Sequence, residues 1–181
     1  MPTPVAIHEA AHGVVGICLG RGGRLKLISI VADASKKGGC HWDNPPGKVP
    51  SNEVNQEFCV GFAGPIAQTL FTPQSLGQYA TQFAATIFQP DDILEKAGVA
   101  GWASTDLNYV IGMRRRGFPI TGFQELEKLI RALLLRPSVR AAVEAIAIIL
   151  DDLSEITGAD AESVMKDYLL PSDFVGNQYV T

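Results

Sequence analysis

A chain of 181 residues, 46% hydrophobic and 19% charged, can bury one core and is too short for several domains, so a single domain over 1–181 is expected. The net charge of -4 leaves no general footprint for nucleic acid, and the run Arg114-Arg115-Arg116 reads as a solvated helix end. Three cysteines, Cys18, Cys40 and Cys59, odd in number and without a C-x-x-C spacing, exclude a disulfide framework and a cysteine zinc knuckle and point to a reducing compartment.

The opening MPTP has neither the basic nor the apolar part of a signal peptide. Thr3-Pro4 instead predicts a helix start, threonine as cap and proline at the first position, with Gly20 and Gly22-Gly23 as the stop. Arg24 to Ala32 (RLKLISIVA) alternates and is rich in branched residues. Gly39-Cys40-His41-Trp42 precedes the turn-forming Asp43-Asn44-Pro45-Pro46-Gly47, and the two stretches together predict a small hairpin. Residues 52–71 predict a helix whose small residues, Gly61, Ala63, Gly64 and Ala67, permit close approach, with Pro65 expected to kink or break it.

Residues 73–103 mix Gly, Gln, Ala and Pro with short apolar runs and suggest one or two short helices. Clearer helical patterns follow near 104–116, 123–135 and 138–155, with a last short one from Asp160. The greasiest segment, AAVEAIAIIL, is interrupted by Glu144 and too short to span a bilayer, so no membrane segment and a cytoplasmic location are expected. The reading is a mainly α fold with a small β-hairpin or sheet, 1–120 holding the chemistry and 121–181 a C-terminal helical part.

The chemistry resides in His8-Glu9-Ala10-Ala11-His12. Positions four apart lie one turn above each other, so His8 and His12 can share one metal ion, and two of the chain's three histidines fall at that spacing. Zinc in a hydrolytic site takes three protein ligands and leaves one position for water. Glu9, beside the first histidine, is placed to take that water's proton and deliver it to the leaving amine. Candidates for the third ligand are His41 and the acidic residues. Asp106 is favoured, because Ser104 or Thr105 can cap a helix carrying Leu107, Val110, Ile111 and Met113 inward, which puts Asp106 at the buried side. The same position also suits an ordinary acid in a helix's first turn, a role in which Asp91 and Asp92 fit better still.

The stretch VAIHEAAHGVVGICL closely resembles the start of the peptidase domain in FtsH-type ATP-dependent zinc proteases. KLISIVADASKKGG resembles that family's following strand and loop, FAGPIAQTLF its small-residue helix, and ASTDLNYV its A-S-N-D-L motif. The run from Leu126 to Val164 is similar, with looser patterning, to the family's closing helices. The resemblance implies a zincin-like metallopeptidase domain, with zinc (Zn2+) held by His8, His12 and Asp106 and Glu9 as catalytic base. It also implies a peptide or unfolded protein substrate, laid as an extended strand along the edge of the 24–42 β-element; within it, Gly39, Cys40, His41 and Trp42 read either as the edge that pairs with the substrate or as an ordinary solvent-facing turn.

Two departures stand out. The acidic pair of the family's small-residue helix is here Gln68-Thr69, and residues 73–100 lengthen the connection to the aspartate motif. No G-x-x-x-x-G-K-[ST] phosphate loop occurs, and only seven residues precede His8. The expected activity is therefore that of a stand-alone zinc metalloendopeptidase acting on flexible or unfolded segments, with a delivery partner or a homo-oligomer as its possible company. The alternative is a zinc-containing, peptidase-like regulatory or adaptor protein without turnover, against which the intact Glu9 argues.

Overall fold

Thr3 opens the first helix, α1 (Pro4–Cys18), as the local chemistry requires: its hydroxyl accepts from the Ala6 N–H at 3.3 Å, and Pro4 occupies the first turn, where its missing N–H costs nothing. The computed structural model describes residues 1–32, 37–43, 54–72 and 123–175. Every residue of α1 from Ala6 to Cys18 is buried, and the helix contacts α2 (Val54–Phe71), α4 (Pro137–Leu153) and the strands β1 (Leu25–Ala32) and β2 (Lys37–Trp42). A helix enclosed on all sides reads as apolar all round, which is why its three polar residues stand out.

The expected hairpin forms, and it is part of a three-stranded antiparallel sheet in the order β2-β1-β3, with β3 at Glu155–Thr157. Ile28 is the pivot, opposite Cys40 on one side and Ile156 on the other. The third strand corrects the expectation of helix to 155. α4 ends at Leu153 because Ser154 adopts the left-handed conformation, φ 67°, after which Ile30 N–H donates to the Ser154 carbonyl at 2.8 Å and Ser29 Oγ to Glu155 Oε1 at 2.9 Å.

Helix α2 runs unbroken from Val54 to Phe71 with Pro65 inside it, where a kink or break was expected. Its packing against α1 and α3 (Phe123–Leu134) outweighs the one hydrogen bond that a proline removes. Of the later elements, α4 turns Val139, Ala142, Val143, Ile146, Ala147 and Leu150 inward, and α5 (Gly158–Lys166) starts two residues before Asp160, with Thr157 as its cap. The short 3-10 helix Pro171–Asp173 returns the chain to α1, where the Val175 N–H donates to the Cys18 carbonyl at 2.9 Å. At the other end of α1, Asp151 accepts from the Thr3 N–H at 2.7 Å and from its hydroxyl at 2.5 Å.

The protein is thus mainly helical with a small antiparallel sheet, and no helix among the described residues is long and apolar enough to cross a membrane. The turn at 44–47, the segment 73–103 with Asp91 and Asp92, and the helix expected over 104–116 with Asp106 and Arg114-Arg115-Arg116 lie outside the described residues.

Candidate functional site

His8 and His12 project from adjacent turns of α1 toward α2, and both are buried, at 3% and 6% exposure. Their Nε2 atoms meet at 3.0 Å, with the ring planes 79° apart. What each ring does with its other nitrogen assigns the protons. His12 Nδ1 lies 2.6 Å from the Val60 carbonyl oxygen, which can only accept, so this nitrogen carries the hydrogen. His8 Nδ1 lies 3.1 Å from Gln68 Oε1. The amide orientation is set by its other end, where Gln68 Nε2 donates to the Pro4 carbonyl at 2.9 Å, so Oε1 is the acceptor and His8 Nδ1 also carries its hydrogen.

Two imidazoles that each carry a hydrogen at Nδ1 therefore bring their Nε2 atoms face to face. That arrangement suits a shared cation, a proton or a metal ion. Two imidazole nitrogens each about 2.0–2.1 Å from a tetrahedral zinc stand roughly 3.3 Å apart, close to the separation found. Outward N–H groups donating to a carbonyl and to an amide oxygen are also what orients histidine ligands in metal sites. The donor set fits a metal at this place, although no third His, Cys, Asp or Glu joins the pair among the described residues. His41, a candidate third ligand, is thus not brought to it.

The second wall of the site is backbone. A Cβ on Gly64 would fall 2.5 Å from His12 Nε2 and 2.7 Å from both Cδ2 and Nε2 of His8, so α2 approaches the rings as closely as a glycine allows. Val60, Gly64 and Gln68 are successive i, i+4 positions on α2, and this one stripe supplies an acceptor, a gap and a second acceptor. Pro65 lies beside it. The turn that this proline deprives of a hydrogen bond adjoins the Val60 carbonyl that accepts from His12.

Glu9 is 8% exposed, and its carboxylate lies near enough to Cys40 of β2 to act on that thiol electrostatically. Burial pushes the Cys40 thiol well above its ordinary range, Glu9 pushes it further, and the opposing pulls of Arg21 and Trp42 are smaller. Burial likewise pushes Cys18 and Cys59 up to about 12, with Asp173 adding to the effect at Cys18. Thiols held protonated are poor nucleophiles, so the described cysteines carry no thiolate chemistry.

Gly39–Trp42 lies in β2, which has β1 on one side and no strand on the other among the described residues. The four residues differ in what they do. Cys40 faces α1, and the His41 ring lies over Gly39 on the opposite face of the strand. Trp42 packs its indole on Gly16 of α1, where a Cβ would collide with the ring. The buried Arg21 guanidinium covers the indole, 4.6 Å from the ring centre, and pairs with Glu57 of α2. The Trp42 side chain is thereby committed to packing, and Arg21, Glu57, Gln68, Val60 and Gly64 are site-building residues that motif spacing did not single out. Of these, two had a signal: Gly64 as one of the small residues that permit close helix approach, and Gln68 as the departure from the family's acidic pair.

Fold and site together define a mainly α protein whose central helix presents a buried histidine pair and a neighbouring carboxylate to a second helix and a sheet edge. The chain matches no protein-family model and no curated protein sequence.

Proposed function

We propose that this chain is a zinc-dependent metalloendopeptidase that hydrolyses peptide bonds in flexible or unfolded protein segments. The observation that carries the reading is the pair of Nε2 atoms held 3.0 Å apart by Nδ1–H donors on both rings, beside a buried glutamate in the H-E-x-x-H position. Zinc would be held by His8, His12 and Asp106, and when bound it would polarise the scissile carbonyl and acidify a water molecule. Glu9 takes the proton from the attacking water as the C–O bond forms, and returns it to the amine nitrogen as the C–N bond breaks. The substrate backbone pairs in extended form with the outer edge of β2 over Gly39, Cys40, His41 and Trp42, the strand whose Cys40 lies within electrostatic reach of Glu9. Main-chain pairing selects for extended, unfolded segments over folded ones.

Zinc content and casein turnover, measured on the native chain and on Glu9→Gln, test the proposal. One zinc per chain in both proteins, with cleavage by the native chain alone, is the expected result. A native chain that takes up no zinc refutes it, and one that binds zinc without cleaving supports the adaptor alternative.

A further inference from the structure

Gln68 is 2% exposed, and its amide uses both ends within the core: Oε1 accepts from His8 Nδ1 at 3.1 Å and Nε2 donates to the Pro4 carbonyl at 2.9 Å. A carboxylate could make the first of these contacts and not the second, because its other oxygen would face the Pro4 carbonyl, acceptor against acceptor. The amide is therefore matched to both neighbours. With no acceptor at Nδ1, the His8 proton could move to Nε2, the atom that faces His12 and would ligate the metal.

We propose that Gln68 is a positioning residue that selects the Nδ1–H tautomer of His8 and so keeps His8 Nε2 available to a metal ion; the metal part of this inference rests on the zinc reading above. His12 has its own acceptor in the Val60 carbonyl, so the effect is confined to one of the two rings. Because an amide is neutral, it orients His8 without adding the negative charge that a carboxylate brings to a histidine ligand.

The test begins with metal-free protein, in which long-range proton–nitrogen NMR reports the tautomer of each histidine. The native chain is expected to show His8 and His12 as Nδ1–H. Gln68→Met, similar in length and without a polar end, is expected to shift His8 toward Nε2–H, leave His12 unchanged, and lower zinc affinity about 10–100-fold in competition with a chelator. Gln68→Glu separates positioning from support. Both variants lose the bond to Pro4, so a purely structural role predicts equal damage, whereas a positioning role predicts that glutamate restores the His8 tautomer and zinc affinity at least to the native level. A native-like His8 tautomer in Gln68→Met, or equal loss of zinc affinity in the two variants, overturns the proposal. A native chain that binds no zinc while the tautomer pattern holds refutes the peptidase reading and leaves the tautomer selection standing.

Discussion

Gly64→Ala is the substitution whose sign the geometry decides. In an exposed helix, replacing glycine by alanine gains about 1 kcal/mol. Here the new Cβ would fall 2.5 Å from His12 Nε2 and 2.7 Å from two atoms of His8, against ordinary contact beginning at 3.4 Å. The rings or α2 must then give by roughly 0.7–0.9 Å. Neither ring is loose: a shift of that size would stretch His12 away from Val60 and His8 away from Gln68, bonds now 2.6 and 3.1 Å long. Two buried hydrogen bonds at about 0.5–1.5 kcal/mol each, together with overpacking strain of about 1–3 kcal/mol, outweigh the propensity gain. The expected net loss is about 1–5 kcal/mol, or roughly 2–20 °C in Tm for a chain of this size. Thermal unfolding of the metal-free protein by circular dichroism measures it without reference to zinc, and dialysis of the loaded protein should show weakened zinc retention. A variant as stable as the native chain or more so would mean that helix propensity acts alone and that α2 does not press on the histidine pair.

Asp106→Ala is expected to reduce zinc retention after dialysis strongly while leaving the circular dichroism spectrum near native; unchanged retention would send the search for the third ligand to the acidic residues of 91–95. Neighbouring residues of a strand point their N–H groups to opposite edges, so Cys40→Pro and His41→Pro should differ, one disturbing the pairing with β1 and the fold, the other abolishing peptide cleavage with zinc and fold retained. Undiminished cleavage in both would remove β2 from the substrate site. At Asp173, burial pushes the carboxyl up, but hydrogen bonds from Ser138, the Leu170 N–H and Arg136, with the Arg136 charge, outweigh it and hold the group below its ordinary value. A carboxyl lowered on folding lends stability that is full above its unfolded value and is lost as pH falls through the folded one. Denaturant midpoints between neutral pH and the low carboxylate range should therefore fall less steeply in Asp173→Asn than in the native chain, and parallel curves would contradict this.

The elements legible in the sequence were those with punctuation at both ends. Thr3-Pro4 and Gly20 framed α1 to within two residues, and the alternating run from Arg24 became β1. β3 escaped because three residues, Glu155-Ile156-Thr157, are too few to show a period, and only tertiary pairing with β1 makes them a strand. At Pro65 the helix does not break, for the related reason that a local rule was overridden by packing. At the site, His8, Glu9 and His12 were readable because their relation is i, i+1 and i, i+4 within one helix. Their partners Val60, Gly64 and Gln68 share a spacing as regular, but nothing in α2 alone says which stripe meets α1. Arg21 was invisible as a core residue, since only the Trp42 face above it and Glu57 beside it make an arginine acceptable there.

The clamps on α1 also give the protein an order of assembly. The histidines lie near the start of the chain, yet the groups that hold their helix follow much later: the Val60 carbonyl 48 residues after His12, the Gln68 amide 60 residues after His8, and the Asp151 carboxylate 148 residues after Thr3. A chain emerging at about 5–20 residues per second would therefore display the pair many seconds before α4 can anchor it. Contacts of such sequence separation form late in folding, so α1 is finished only after the elements that follow it in the chain. A nascent chain thus carries the motif without the constellation, which is complete only when α4 and the returning C-terminal turn close on the two ends of α1.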